Sequence, residues 1–190
     1  MILDDWRKAA PTLPVNPFYG RVLPYLQPGS TVLDAGAGLG TGAQFMADRG
    51  FDVTALEPDP ELFGLLLERN YQAIQGRFID APLDDFDAVL TVFSLFFVPE
   101  SEWNSSWLRL SSALRNGGIW GGQILGERDE WAATQPVSTL SREQIGEMLS
   151  GWEILEWQEF ERPGRTAWGA EKQWHIHHII ARKMGVPQSA

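Results

Sequence analysis

The sequence predicts an α/β fold in which a largely parallel sheet carries helices on both faces. From Thr31 onward, short apolar runs alternate with helical stretches, and a glycine cluster separates the first run from the first helix. Near the end of the chain, two strand-like runs follow one another with no helix between them, so that pair is expected to be antiparallel. A chain of 190 residues with 44% hydrophobic and 21% charged content suits one domain over 1–190. Its expected parts are a proline-rich lead-in or lid over 1–29, a core over 30–183 and a tail over 184–190.

Each element has a local reason. Thr31 to Ala35 is β-branched at its start and stopped by glycines, as a buried strand would be. Thr41 to Arg49 reads as a helix closed by Gly50, and Phe51 to Leu56 as a second strand. Asp59 and Pro60 form an N-cap and first-turn pair for a helix reaching about Asn70. A weak strand is expected at Tyr71 to Gln75 and a strong, almost wholly apolar one at Ala88 to Phe93. Trp103, Trp107, Leu110 and Leu114 make a helical stripe ending at Asn116-Gly117-Gly118, with a fifth strand from Ile119 to Leu125. Ser141 to Gln144 has the form of a capping box for a helix ending at Gly151. Trp152 to Phe160 and Trp174 to Ala181 read as the last two strands, joined by a loop around Pro163-Gly164-Arg165.

Composition removes several function classes. The absence of cysteine excludes disulfides, thiolate catalysis and cysteine-bound zinc. A formal charge of −10 without a basic stripe argues against nucleic acid as a partner. Acidic residues near Met1 and no apolar stretch behind them make the chain read as unexported, hence cytoplasmic. The longest apolar stretch, Val92 to Pro99, falls far short of the ~20 residues needed to span a bilayer, so no membrane partner is expected.

The chemistry concentrates after the first two strands. Gly36, Gly38 and Gly40 permit positive φ and remove the Cβ, so a ligand can lie against backbone at a helix N-terminus. In another frame, Gly38, Gly40 and Ala43 satisfy the dinucleotide fingerprint G-x-G-x-x-A, which keeps an NAD-dependent dehydrogenase open. Asp34 opposes a pyrophosphate but suits a cationic ligand such as a sulfonium or ammonium. Glu57, 17 positions after Gly40, can accept hydrogen bonds from both hydroxyls of a ribose.

The run D-x-G-x-G-x-G followed by L-E-P-D resembles the first motif and second-strand acidic residue of the class I S-adenosylmethionine-dependent methyltransferases. The stretches Ser94 to Glu100, Gly126 to Trp131 and Trp174 to His177 resemble a bacterial small-molecule branch related to the tellurite-resistance type. The resemblance implies a Rossmann-like seven-stranded sheet of order 3-2-1-4-5-7-6 with the seventh strand antiparallel, and methyl transfer to a small acceptor. It places Gly36, Gly38 and Gly40 under the methionine moiety, Asp34 at its ammonium and Glu57 on the ribose. Phe78 is expected against the adenine, with Asp80 as an alternative acidic contact, and Thr91 and Val92 as cofactor wall. Tyr19, Phe96, Arg128 and Trp131 are expected around the acceptor. His175, His177 and Arg128 are the candidates for catalysis, although in-line transfer from a sulfonium needs no obligate base. No metal is expected, because no third ligand for the histidines is recognisable in the sequence. An S-adenosylmethionine-binding module without turnover is the remaining alternative.

Overall fold

The computed structural model describes residues 2–83 and 85–185; the last five positions of the expected tail, 186–190, lie outside the described residues. The lead-in contains two short helices, α1 (Ile2–Ala9) and α2 (Phe18–Val22). Then follow β1 (Thr31–Ala35), α3 (Thr41–Ala47), β2 (Asp52–Glu57), α4 (Pro60–Leu66), β3 (Gln72–Gln75) and β4 (Phe86–Thr91). The second half contains α5 (Glu100–Ser112), β5 (Leu114–Leu125), α6 (Trp131–Thr134), α7 (Arg142–Met148), β6 (Trp152–Arg165) and β7 (Glu171–Lys183). The strands form one seven-stranded sheet of order β3-β2-β1-β4-β5-β7-β6, parallel through β5, with β7 antiparallel to both neighbours.

Strand parity divides the core. Val32, Val53, Ala55, Ala88 and Leu90 meet Phe18 and Val22 of α2 and Ala43 and Met46 of α3. Leu33, Ala35, Val89, Trp120 and Ile179 meet Trp103 and Leu110 of α5 and Ile145 of α7. Asp59 caps α4 by accepting from the Glu61 and Leu62 amides, and Ser141 with Gln144 forms the reciprocal capping box of α7. No helix among the described residues is long and apolar enough to cross a membrane.

Several boundaries differ from expectation; β4, for instance, spans Phe86–Thr91 rather than Ala88 to Phe93. The helix opened by Pro60 stops at Leu66 rather than near Asn70. The stripe ending at Leu114 breaks at Ser112, because Phe86 donates to the Ala113 carbonyl and pairs with Leu114, drawing that residue into β5. Pro163-Gly164-Arg165 is strand rather than loop. The hairpin continues to Arg165 opposite Glu171 and turns over 166–170. Proline is tolerated there because β6 is an edge strand, where a missing amide breaks no ladder on the open side.

At the centre of the sheet, fully buried Thr91 accepts from the Trp120 indole at 3.2 Å. Thr91→Val keeps the shape but strands that indole N–H. The variant should lose about 1–3 kcal/mol of unfolding free energy, and urea denaturation with an unchanged m-value will read this directly.

Candidate functional site

The chain turns sharply after β1. The amides of Gly36 and Ala37 both donate to the Leu56 carbonyl at 2.8 and 3.0 Å, tying the end of β1 to β2. Gly36, Gly38 and Gly40 all have positive φ, at 79°, 58° and 72°. Crowding gives a second reason for glycine. A Cβ on Gly36 would strike Ser94, and one on Gly38 would lie 2.6 Å from the Trp6 ring. Gly40 differs in role: its absent side chain makes room for Tyr71 and Leu66, so it packs α4 and β3 against the turn and does not line the cavity.

That turn floors a cavity of about 790 Å³ at the carboxyl edge of the sheet, within the range of small-molecule sites. Of the residues singled out from the sequence, Gly36, Gly38, Glu57, Phe78, Val92, Tyr19 and Trp131 contribute to its lining. The Glu57 carboxylate accepts from the Gly38 amide at 2.8 Å and the Asp59 amide at 3.0 Å, one bond per oxygen. A carboxylate has about four acceptor positions, so two remain for hydroxyl donors. Burial raises the Glu57 pKa, and these two amides pull it back down.

Asp34 is the penultimate residue of β1, two positions before Gly36, and is buried on the α2 side. Its Oδ1 accepts from the Tyr19 hydroxyl at 2.7 Å, while Oδ2 has no partner. Burial pushes the Asp34 carboxyl up to about 7; the Tyr19 bond opposes that shift and Glu57 adds to it. Asp34 does not itself line the cavity: it lies beneath the turn behind Tyr19, a buried carboxylate with one orphaned oxygen whose charge a nearby cation would offset. Tyr19 therefore serves the glycine-loop end of the cavity, a correction to its expected place beside the acceptor.

Other expectations are also revised. Thr91 points into the core toward Trp120 and does not line the cavity. The Asp80 carboxylate is held by Arg77 at 3.0 Å and does not line the cavity, whereas Arg77, Phe78 and Glu102 do. Phe96 is fully buried behind Phe93, Phe97 and Trp131, supporting the wall without forming its surface.

The largest correction concerns His175, His177 and Arg128, none of which lines the cavity. Parity on β7 puts both histidines on the same face as Ile179, toward α7. There His175 Nε2 lies 3.0 Å from Glu159, while the Trp157 indole donates to His177 Nδ1 at 3.1 Å. Arg128 donates to Glu161 at 2.7 Å and braces His175. Glu159, His175 and His177 do bring three ligand-type groups together, the third member that the sequence did not reveal. Arg142, 2.9 Å from Glu159, and Arg128, 3.6 Å from it, already neutralise that carboxylate, so the cluster reads as a packed hydrogen-bond network.

Sequence reasoning missed Trp6, Arg7, Phe93, Arg165, Trp168 and Trp174 as cavity residues. Trp6 covers Gly38, and Arg7 pairs with Asp59, so α1 lies across the glycine turn. The signal available was the count of nine Trp and ten Phe, too many for the core alone to require.

Residues 32–118 match a family model described as a methyltransferase domain. An uncharacterised methyltransferase of Mycobacterium tuberculosis is 30% identical over 139 residues, 60% of this chain and 56% of that protein. The chain thus spans little more than half the length of the curated relatives it matches. Among solved structures, TehB of Haemophilus influenzae aligns with a TM-score of 0.76 at 18% identity, covering 89% of this chain and 62% of that one. A Burkholderia thailandensis 1,6-didemethyltoxoflavin-N1-methyltransferase, solved with 1,6-didemethyltoxoflavin and S-adenosylhomocysteine bound, aligns at 0.70 and 19% identity, covering 90% and 78%. Sheet order and these neighbours agree on the fold, the seven-stranded α/β arrangement shared with TehB, and residues 32–118 are similar to a methyltransferase domain.

The Asp34 carboxyl gives the apo protein a pH signature. Between about pH 4 and 7 the unfolded carboxyl is ionised while the folded one retains its proton, so stability falls as pH rises through that window. Asn cannot titrate, and the buried histidines contribute equally to both proteins. The melting temperature of Asp34→Asn minus that of wild type should therefore increase from pH 4 to pH 7 and level off above it, as scanning calorimetry will test.

Proposed function

We propose that this protein binds S-adenosylmethionine at the Gly36–Gly38 turn and transfers its methyl group to a small-molecule acceptor. The observation that carries the reading is the pairing of two buried acids around bare backbone. Glu57 lines the cavity with spare lone pairs suited to the cofactor's ribose, and Asp34, buried beneath the turn without lining the cavity, has an orphaned oxygen whose charge suits an ammonium close by. When bound, the cofactor supplies an activated sulfonium methyl, so the protein's task is to hold, orient and shield it. Phe78 offers an apolar face for the adenine, Val92 forms wall, and residues 1–29 act as a cover through Trp6 and Arg7.

The acceptor is read as small because the cavity, about 790 Å³, is of small-molecule size and because a protein of charge −10 repels nucleic acid. The Burkholderia neighbour, whose structure has 1,6-didemethyltoxoflavin and S-adenosylhomocysteine bound, supports the same reading. A dinucleotide fits poorly, since its pyrophosphate would face the same buried acids. A binding module without turnover differs only in the acceptor end.

Titration calorimetry provides the test. Wild type should bind S-adenosylhomocysteine and fail to bind NAD. Glu57→Ala should lose at least tenfold in affinity, the worth of one or two hydrogen bonds to a charged group at about 1.5–3 kcal/mol each. No binding by wild type, or equal affinity in the variant, would refute the proposal.

A further inference from the structure

The cavity has a second end whose chemistry differs from the first. Phe93, Phe97, Trp131, Trp168 and Trp174 line it, brought from the end of β4, the start of α6 and the β6–β7 hairpin. Trp131 and Trp168 are parallel within 3° at 5.9 Å between centroids, whereas Trp174 meets Phe93 edge-on at 5.7 Å and Trp131 at 5.3 Å. Phe93 is the one described non-glycine residue with positive φ, at 53°, an unfavourable conformation for so large a side chain. The backbone thus accepts strain where it brings a ring into this wall.

Charge narrows the choice of ligand. The other charged groups lining the cavity are grouped around the glycine turn and Phe78, where Arg7 pairs with Asp59 and Arg77 with Glu102. The aromatic end has only Arg165, exposed and 3.6 Å from Glu171. Behind the rings, buried Lys172 sets its ammonium 3.6 Å from the Trp174 centroid and 4.5 Å from that of Trp131, paired with Asp129. The electron-rich faces on that side are already engaged by a cation, so this is not a cage for a quaternary ammonium. Neither an imidazole nor an unpaired carboxylate lines this end among the described residues.

We infer that the acceptor is a planar aza-aromatic ring, held by stacking and edge contacts among these five side chains and methylated on a ring nitrogen that carries no proton. This rests on the cofactor reading above. The nitrogen lone pair forms the new N–C bond as the C–S bond breaks; that electron pair remains on sulfur and the positive charge passes to the ring. No proton moves, in keeping with a wall that has no base. Each aromatic contact adds roughly two- to tenfold in affinity beyond the area buried, so flat rings outcompete saturated molecules of equal size.

The experiment titrates protein saturated with S-adenosylhomocysteine with four probes: quinoline, 2-naphthol, decahydro-2-naphthol and choline. Quinoline and 2-naphthol should bind at least tenfold more tightly than the saturated alcohol and choline. Trp168→Ala should reduce that preference at least threefold, and Trp168→Phe should restore it. Mass spectrometry of quinoline incubated with enzyme and S-adenosylmethionine should show the N-methylated cation. Equal binding of the saturated alcohol, tighter binding of choline, or an Ala variant with unchanged preference would overturn the inference while leaving cofactor binding intact. Failure of S-adenosylhomocysteine to bind at all would instead remove the reading on which it rests, and the inference with it.

Discussion

The structure depends on a chain reversal in a space with no room for side chains. After Ala35 the backbone must leave the middle of the sheet and enter α3 while β2 continues one residue past it and β4 ends level with it. The Leu56 carbonyl catches two successive amides, the Ser94 hydroxyl catches the Ala35 carbonyl at 2.6 Å, and Trp6, Ser94 and Tyr71 fill the places where Cβ atoms would project. A turn so confined leaves its backbone bare on the cavity side. The same confinement buries Asp34 and Glu57 beside it, and their unfavourable burial as ions is offset only when something donates to them.

How much of this could be read in advance follows from the range of the interactions involved. The antiparallel last pair, the Asp59 cap and the Ser141 capping box are local patterns or follow from connection length, whereas strand order was implied by the family resemblance; all stand as expected. The glycine turn and Glu57 were legible because backbone conformation and spacing restrict residue choice. Leu114 was not, since a helical stripe cannot report that Phe86, 28 positions earlier, competes for its backbone. Pro163 misled for a similar reason: a proline looks like a turn until one knows that its strand is on the sheet edge.

The histidines illustrate a limit of reading motifs by proximity to a site. His175 and His177 sit at the right end of the right strand, and alternation correctly puts them on one face. Which face depends on the register of β7 against β5, where His177 lies opposite Ile124, a residue of the α5 and α7 side of the core. One residue of slip would have turned both imidazoles the other way. In their place, Trp174 faces the cavity, and aromatic surface occupies the position where proton transfer was anticipated.

The two margins of the sheet are guarded by different means. β3 has only four residues, too short a template to recruit a passing strand. β6, with 14 residues, is long enough to do so, yet it carries Glu153, Glu156, Glu159, Glu161, Arg162 and Pro163 along its length. An incoming strand would have to desolvate a run of ion-paired side chains and would find, at Pro163, a missing donor. A long hairpin that projects aromatic residues over the cavity can thus extend beyond the body of the sheet without inviting edge-to-edge polymerisation, the hazard that so much exposed ladder would otherwise bring.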